Sequence, residues 1–262
     1  MLEMTTTAGH THETRVIRSY SNHRLHAEVG AIIREHSENK NDIRTVVRDA
    51  IAWDRAKSIA DLGCGYGWFE EVMPAGRDLI VGVDCLAENE EPFLAAARAR
   101  AAEALFRMMT LPAPTGLPTA HFDLIVSLYS LYFFPGAIPE IARLLKPGGV
   151  FVCLTHSASM LEEGEHYFDF RNLRKVIERF SAENGEALLR QHFAKVNYID
   201  YPNAIVFHPD DEKSLATYID FKREFIEKDV DPAIVREKMV AELKRKGQLR
   251  FNKNDRIFVV GK

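Results

Sequence analysis

Three glycines alternate with other residues at Gly63, Gly65 and Gly67, directly after an apolar run that contains Asp61. The pattern predicts a buried strand that enters a tight turn and then a short helix. Glycines in such a turn let a ligand lie against bare backbone. A dinucleotide fingerprint would have its third glycine where this chain has Trp68, so the spacing disfavours a dinucleotide diphosphate as the ligand.

A second candidate for ligand chemistry is Asp84, which ends the apolar run 79–84 and lies 17 residues after Gly67. That distance accommodates a helix and a return strand. A carboxylate at the tip of the second strand of a βαβ unit can accept hydrogen bonds from both hydroxyls of a ribose. The alternative is that Asp84 caps the following helix. Taken together with the glycine turn, the ribose interpretation is favoured.

Two further stretches follow in a matching order. They are residues 122–127 and residues 144–152. With the glycine turn and Asp84, these stretches resemble the motifs of class I S-adenosylmethionine-dependent methyltransferases of the small-molecule type. In that resemblance, residues 122–127 look like the fourth strand, and residues 144–152 look like a helix end, a tight turn and the fifth strand. The resemblance extends over residues 56–156, about two-fifths of the chain.

The resemblance implies a fold and a reaction. The fold is α/β, a three-layer Rossmann-like sandwich with a mostly parallel seven-stranded sheet, an N-terminal helical cap and a helical insertion before the last strand. The cofactor is S-adenosyl-L-methionine, the product is S-adenosyl-L-homocysteine, and the methyl group moves to a small-molecule acceptor by in-line displacement. The implied cofactor contacts are Asp61, Gly63, Cys64, Gly65, Tyr66, Gly67, Asp84, Cys85, Met109, Thr110, Leu111, Ser127 and Leu128.

The chain departs from the family pattern at its third strand. Residues 88–104 predict a helix and residues 105–110 predict that strand. In the family an acidic residue at the end of the third strand often contacts adenine, whereas this chain has Met109, Thr110 and Leu111. Backbone amides or the Thr110 hydroxyl would then contact the adenine edge.

Two residues are candidates for catalysis. His156 comes just past the predicted fifth strand, and Tyr129 follows the fourth. An imidazole with a pKa near 6.5 can take a proton from an attacking hydroxyl or amine; the alternative is a histidine that hydrogen-bonds a loop. Candidates for the substrate contacts and the lid are Tyr20, Arg24, His26, Tyr132, His166 and Tyr167. The alternative for Tyr20, Arg24 and His26 is a surface helix, although the family resemblance favours a lid; the alternative for Tyr132 is the core.

The remaining segments predict the elements that surround these residues. Helices are expected within residues 14–53 around a loop at 37–42, at 171–180 and 187–193, and twice within 214–246. A strand over 196–207 is interrupted by Pro202, and residues 256–262 predict the closing strand. We expect a disordered segment at 1–13 and one methyltransferase domain at 14–262, divided into a cap (14–55), a cofactor core (56–156) and acceptor-side elements (157–262).

Composition limits the possible partners. The 262 residues carry a net charge of −4, whereas a protein that binds nucleic acid usually carries a basic patch. The charge therefore argues against a nucleic-acid partner. No apolar run approaches the ~20 residues that cross a bilayer. Three scattered cysteines predict a reducing, cytoplasmic location, and no metal-ligand spacing occurs. A homodimer is left open.

Two other functions remain open at this level. An NAD-dependent oxidoreductase is disfavoured by Trp68 and by the glycine spacing. The missing carboxylate after the third strand leaves a non-catalytic methyltransferase-like module that binds a partner as an alternative. The intact glycine turn argues against that module.

Overall fold

A computed structural model describes residues 22–167, 171–222 and 231–262. Its strands are β1 (Ser58–Leu62), β2 (Arg77–Asp84), β3 (Ala101–Met108), β4 (Phe122–Leu128), β5 (Leu145–His156), β6 (Lys195–Tyr201), β7 (Ala204–Phe207), β8 (Leu249–Asn252) and β9 (Asp255–Gly261). Its α-helices are α1 (His23–His36), α2 (Ile43–Asp49), α3 (Glu90–Arg98), α4 (Ile138–Leu144), α5 (Arg171–Ile177), α6 (Gly185–Leu189), α7 (Glu212–Lys222) and α8 (Pro232–Lys246). The predicted disorder of residues 1–13 and the lid candidate Tyr20 lie outside the described residues.

Within the described residues, seven strands form one sheet in the order β3-β2-β1-β4-β5-β9-β6. Strands β1 to β5 run parallel to one another, and β9 pairs antiparallel with both β5 and β6. The strand order reverses between β1 and β4, so the carboxyl ends of these strands open the crevice in which such sheets bind ligands. The predicted mostly parallel, Rossmann-like sheet is confirmed.

The central strands are apolar along their whole length because both faces of the sheet are covered. Successive residues of a central strand pack into two different apolar clusters. In β1, Ile59 belongs to the first cluster and Ala60 to the second. Phe93 of α3 packs in the first cluster, and Ile141 of α4 packs in the second. Helices therefore cover opposite faces of the sheet and leave its carboxyl edge open to a ligand.

The third strand is displaced from its predicted position. It occupies Ala101–Met108 rather than 105–110, and the preceding helix ends at Arg98 rather than at residue 104. The ladder with β2 runs from Arg77 opposite Ala101 to Asp84 opposite Met108. These strand hydrogen bonds satisfy the backbone groups of the alanine-rich segment, and they override its helix propensity.

The strand predicted over 196–207 is two strands in two sheets. β6 lies at the edge of the main sheet, whereas β7 pairs with β8 in a separate two-stranded sheet. Strand β8 was not predicted. The small sheet shares an apolar cluster with α1, α7 and α8, which includes Val29, Phe207, Tyr218 and Met239. This third cluster builds a roof beside the carboxyl ends of the central strands.

The other predicted elements are found with shifted ends. Helices α1 and α2 confirm the pair around the loop at 37–42, and Asp231 begins α8 by accepting the Ala233 N–H at 2.9 Å. α5 ends at Ile177 rather than 180, and α6 spans Gly185–Leu189 rather than 187–193. Among the described helices, none is both long and apolar enough to cross a bilayer.

Candidate functional site

A cavity of about 430 Å³ opens at the carboxyl edge of the main sheet. One side is formed by the glycine turn and by the segments that follow β2 and β3. The other side is formed by α1, the end of α7, the end of β5 and the turn between β8 and β9. Most of the residues predicted for the cofactor and both residues predicted for catalysis therefore line the same cavity.

The three glycines of the turn have positive φ angles of 76°, 54° and 87°, which are strained for other residues. They differ in what a side chain would meet. A Cβ at Gly63 would lie 2.4 Å from the Ser130 Cβ, and one at Gly67 would lie 2.9 Å from the Ala96 Cβ. A Cβ at Gly65 would meet no atom within 4 Å. Gly65 therefore offers bare backbone to a ligand, and the other two glycines are required by packing.

Replacing Gly65 or Gly67 by alanine is expected to affect ligand affinity and the free energy of unfolding to different extents. Gly65→Ala should lower the affinity for S-adenosylhomocysteine at least tenfold and reduce the free energy of unfolding by about 1–2 kcal/mol, the left-handed backbone penalty. Gly67→Ala has the same backbone penalty and also overpacks its surroundings, so its free energy of unfolding should fall by roughly 2–4 kcal/mol. Calorimetric titration and urea unfolding measure the two effects. Equal losses of affinity in both variants would contradict the assignment of Gly65.

Asp84 is held by three donors of its own chain. Its Oδ2 accepts the Gly65 N–H at 3.0 Å, and its Oδ1 accepts the Leu86 N–H at 2.9 Å and the Asn89 Nδ2 at 3.1 Å. The Leu86 bond closes an Asx turn, so Asp84 has the local structural role that the capping alternative described. A carboxylate has about four lone-pair sites, which leaves room for a hydroxyl donor. The buried Oδ1 of Asn89 has no partner among the described residues and is a second acceptor beside it.

Two carboxyl groups lie buried together behind the glycine turn, on Asp61 and Glu70. Asp61 is 3% exposed and lines the cavity, and Glu70 is fully buried. Burial, reinforced by Glu70, raises the pKa of Asp61 well above its usual value, and burial raises the pKa of Glu70 to about 7. Neither carboxyl oxygen of Glu70 has a hydrogen-bond donor among the described residues. One of the two groups therefore holds a proton near neutral pH.

Glu70→Gln is expected to stabilise the protein most at alkaline pH. A folded-state pKa raised from 4.5 to about 7 means that wild-type stability falls as the pH rises through that window. Glutamine does not titrate, and its amide can donate to Asp61. We expect the variant to unfold several degrees above wild type at pH 8, with a smaller difference at pH 5. Glu103→Gln, at an exposed position on β3, is the control; a stability difference between Glu70→Gln and wild type that does not depend on pH would contradict the buried pair.

The side of the cavity beside the end of β5 contains a connected set of polar groups. Asp255 Oδ1 lies 2.6 Å from His156 Nδ1, and Tyr129 OH donates to Asp255 Oδ2 at 2.7 Å. Lys253 Nζ donates to the same Oδ2 at 2.9 Å and to Tyr129 OH at 3.1 Å. The Tyr129 ring stacks on the imidazole with centroids 4.5 Å apart. Tyr129 has a left-handed φ of 56°, a strained conformation of the kind found at functional sites.

The charges in this set assign a protonation state to His156. Burial lowers the pKa of His156 to about 4, although Asp255 opposes the shift. Burial opposes the ionisation of Asp255, yet Lys253 and His156 hold the pKa of this carboxyl below its usual value. Burial and Asp255 raise the pKa of the Tyr129 phenol. At neutral pH the imidazole is therefore neutral, its Nδ1–H donates to the carboxylate, and its Nε2 is the nitrogen that can accept a proton.

Lys222, the last residue of α7, brings a second ammonium group to this side. It is 8% exposed, and its Nζ lies 5.5 Å from the ring centroids of both Tyr218 and Phe221. Burial and Lys253 lower the pKa of Lys222 to about 7. His26 of α1 stacks on Phe221, and burial and Lys222 lower its pKa to about 4. An aromatic contact thus connects the helical cap to the insertion.

The cavity is lined by most of the residues that the sequence singles out. These are His26, Asp61, Gly63, Cys64, Gly65, Tyr66, Asp84, Cys85, Met109, Thr110, Leu111, Leu128, Tyr129, Tyr132 and His156. Their individual roles stay predictions. Gly67 is packed behind the turn, and Ser127 is fully buried with its hydroxyl 2.7 Å from that of Ser130, so neither lines the cavity.

Three predicted substrate or lid residues lie elsewhere. Arg24 is exposed on α1 and does not line the cavity. His166 and Tyr167 border a separate depression beside α8, because the backbone after β5 turns away when Leu161 N–H bonds to Asn252 O at 2.9 Å. Their nearness to His156 in sequence therefore does not translate into a shared site.

Sequence reasoning missed Asn89, Lys222, Lys253 and Asp255. The sequence did contain a signal for Lys253 and Asp255. Because β9 is antiparallel to β5, its first residue lies at the edge where β5 ends, and His156 pairs directly with Asp255. The polar residues just before an antiparallel closing strand are therefore site candidates. Lys222 and Asn89 offered no comparable signal, since both are single polar residues at helix ends.

The described residues contain no cluster of three or more histidine, cysteine or acidic side chains that could hold a metal ion. The side chains that line the cavity offer a neutral imidazole, two lysine amines and several carboxyl groups around one enclosure.

Comparison with known proteins supplies the family. A profile described as a methyltransferase domain matches residues 32–217. A search of curated protein sequences finds no significant match. Among solved structures, the chain is similar to the YcgJ protein of Bacillus subtilis, with 19% identity, a TM-score of 0.54, and coverage of 90% of this chain and 98% of that one.

Two further structures share the fold. A methyltransferase described as putative, from Bacillus halodurans, is 12% identical with a TM-score of 0.54, and the match covers 83% of this chain and 97% of that one. The [4+2]-cyclase SpnF is 17% identical with a TM-score of 0.53, covering 93% and 96%. These likenesses concern the fold, whereas the profile match covers more than half of the chain. The chain belongs to the methyltransferase domain family, of the class I type that its motifs indicate.

Proposed function

We propose that this protein transfers a methyl group from S-adenosyl-L-methionine to a small-molecule acceptor. The observation that supports the proposal most strongly is the shared cavity. The glycine turn and Asp84 line one side of it, and the His156–Asp255 pair lines the other. An enclosure of about 430 Å³, roofed by α1 and α7, suits a compact acceptor better than a macromolecular surface.

The residues present fit the adenosyl cofactor. Gly65 has open space where a side chain would be, and Asn89 has a buried acceptor oxygen without a partner. Asp84 and Asn89 would hold the ribose hydroxyls. Asp61 would hold the ammonium of the methionine part, whose positive charge would favour the ionised form of this carboxyl group over the protonated one. The segment 109–111 would border the adenine. When bound, the cofactor supplies an electrophilic methyl group on a sulfonium.

The chain's own residues would position the acceptor and remove its proton. His156 Nε2 would accept the proton that the attacking hydroxyl or amine loses, which adds about 10²–10⁴-fold where a proton must leave. Asp255 fixes the tautomer through Nδ1 and stabilises the imidazolium that forms. The aromatic side chains in the wall exclude water from the enclosure.

One competing function has an observation behind it. SpnF shares the fold and is a cyclase, so this fold alone does not specify methyl transfer. A protein that uses the cavity for binding or another reaction would keep cofactor affinity and release no S-adenosylhomocysteine. The intact proton acceptor at His156 favours transfer to a protonated nucleophile.

The test measures cofactor binding and turnover separately. Thermal unfolding is followed with S-adenosylmethionine, S-adenosylhomocysteine and NAD(H) in parallel, since a ligand at 100 times its Kd adds ~2.7 kcal/mol. We expect stabilisation by the two adenosyl compounds alone. Acceptor mixtures are then screened for release of S-adenosylhomocysteine. Stabilisation by NAD(H) alone, or adenosyl binding without turnover across the screen, would overturn the proposal.

A further inference from the structure

The strand β3 forms one outer edge of the main sheet, and no other strand of the described chain pairs with its free side. Its span, Ala101–Met108, is longer than that of an average strand. Natural proteins usually protect such an edge with prolines, charged side chains, bulges or a very short strand. β3 contains neither proline nor lysine, and its two charged residues, Glu103 and Arg107, have opposite signs. The edge is therefore open to a strand whose charges complement these two.

β3 also exposes apolar side chains. Leu105 is 40% exposed and Met108 is 64% exposed. Phe106 is half-buried and packs against Phe93 of α3, with ring centroids 5.9 Å apart. Since side chains alternate between the faces of a strand, α3 covers the face that carries Phe106, whereas Leu105 lies on the opposite face. A partner that covers this edge would remove apolar surface from water.

The side chains on the Leu105 face are arranged symmetrically. Glu103, Leu105 and Arg107 alternate along β3, so they share one face, and Leu105 lies midway between the two charges. A second copy of β3 can pair antiparallel about a two-fold axis at Leu105. Each Glu103 then stands opposite Arg107 of the partner subunit, and the two leucines meet on the axis. Opposite charges and apolar side chains directly across from each other stabilise an antiparallel pair.

The other face of β3 fits the same register. Met108 stands opposite Ala102 of the partner subunit, and Phe106 stands opposite Ala104 of the partner subunit, so each large side chain meets a small one. A register shifted by two residues in either direction loses the match, because Leu105 then stands opposite a charged residue. The pattern of β3 therefore favours one register of self-pairing over its neighbours.

The opposite edge of the sheet, β6, offers no such match. A two-fold axis perpendicular to the sheet keeps each side chain on its own face, so only residues an even number of positions apart can stand opposite each other. The charged residues of β6 are Lys195 and Asp200, which are five positions apart. Its exposed Tyr198 already has the Arg256 guanidinium over its ring, 3.9 Å from the centroid. Self-pairing is thus favoured at β3 and not at β6.

We propose that two copies of this protein associate edge to edge through antiparallel pairing of β3, with Leu105 on the two-fold axis and each Glu103 opposite Arg107 of the partner subunit. The contact is isologous, so it uses up the free edge of both copies and ends the sheet's growth there. It is small compared with standard interfaces, and we expect a dissociation constant of about 10–100 μM. The proposal does not depend on the methyl-transfer proposal.

The first test is sedimentation equilibrium over a range of concentrations that brackets this dissociation constant. We expect a reversible equilibrium between monomer and dimer. Arg107→Glu and Glu103→Arg each place like charges opposite each other twice in the dimer, so each should weaken association about tenfold or more. The double variant exchanges the charges and should restore the dissociation constant to within about threefold of wild type. Lys195→Glu, at an exposed position on β6, is the matched control and should change nothing.

The second test fixes the register by disulfide formation. Leu105→Cys brings two thiols together on the axis, at a Cα separation of about 4.5–5.5 Å that a disulfide can span, so mild oxidation should cross-link it. Ala102→Cys is the control, because its symmetry mate would lie about 20 Å away along the strand. A protein that stays monomeric, a dimer that the single charge reversals leave unchanged, or one that the double variant does not restore would overturn the proposal. Cross-linking of Ala102→Cys but not Leu105→Cys would also overturn it.

Discussion

Replacement of His156 by alanine is expected to lower kcat by about 10²–10⁴-fold, while the Kd for S-adenosylhomocysteine changes by less than about twofold. The reason is geometric and electrostatic. Asp255 takes the Nδ1 proton, so Nε2 is the free nitrogen of a neutral imidazole in the cavity wall. The readout is S-adenosylhomocysteine release with an acceptor found by screening, and His192→Ala, at an exposed histidine, is the control.

The same assignment makes a prediction about pH. A base works in its deprotonated form, and burial lowers the pKa of His156 to about 4. The acid limb of kcat/KM should therefore lie near pH 4, and the rate constant should change little between pH 6.5 and pH 5. A limb near pH 6.5 would contradict the buried imidazole as the base. Circular dichroism at each pH ensures that the protein is folded.

Asp84→Asn is expected to weaken S-adenosylhomocysteine binding by roughly 10–150-fold. This corresponds to the 1.5–3 kcal/mol of one hydrogen bond to a charged group, here from a ribose hydroxyl. Asparagine retains an acceptor oxygen for the Asx turn. Asp84→Ala is a poorer test, because it also leaves the donors on Gly65, Leu86 and Asn89 without an acceptor.

A matched control lies on the same strand. Asp78 is exposed near the opposite end of β2, so Asp78→Asn makes the same chemical change away from the cavity. We expect it to leave the Kd for S-adenosylhomocysteine within about twofold of wild type. If Asp84→Asn binds the adenosyl ligand as tightly as Asp78→Asn does, Asp84 has only its structural role and the ribose assignment is wrong.

The sequence predicts the cofactor side well because that side is local. A strand buried on both faces must be apolar, and a turn with positive φ angles requires glycine, so β1 and the turn leave strong signals. The edge strand β3 leaves a weak one. Its alanines favour a helix, and only pairing with the neighbouring β2 decides between the two structures.

The side of the cavity around His156 was largely missed because its residues are distant from one another in sequence. Lys222, Lys253 and Asp255 reach His156 through the register of β5 with β9 and through the roof formed by α7. No short window of sequence contains that information. Conversely, His166 and Tyr167 lie close to His156 along the chain but outside the cavity, since the backbone leaves it after Leu161.

The pairing of His156 with Asp255 does not depend on the long segment between them in sequence. The two residues face each other across adjacent strands, 99 residues apart, and the sheet fixes their distance. The intervening segment supplies α7, whose Tyr218, Phe221 and Lys222 line the same cavity. Substitutions or insertions in that segment can therefore reshape the cavity wall, and the imidazole with its carboxylate stays in place.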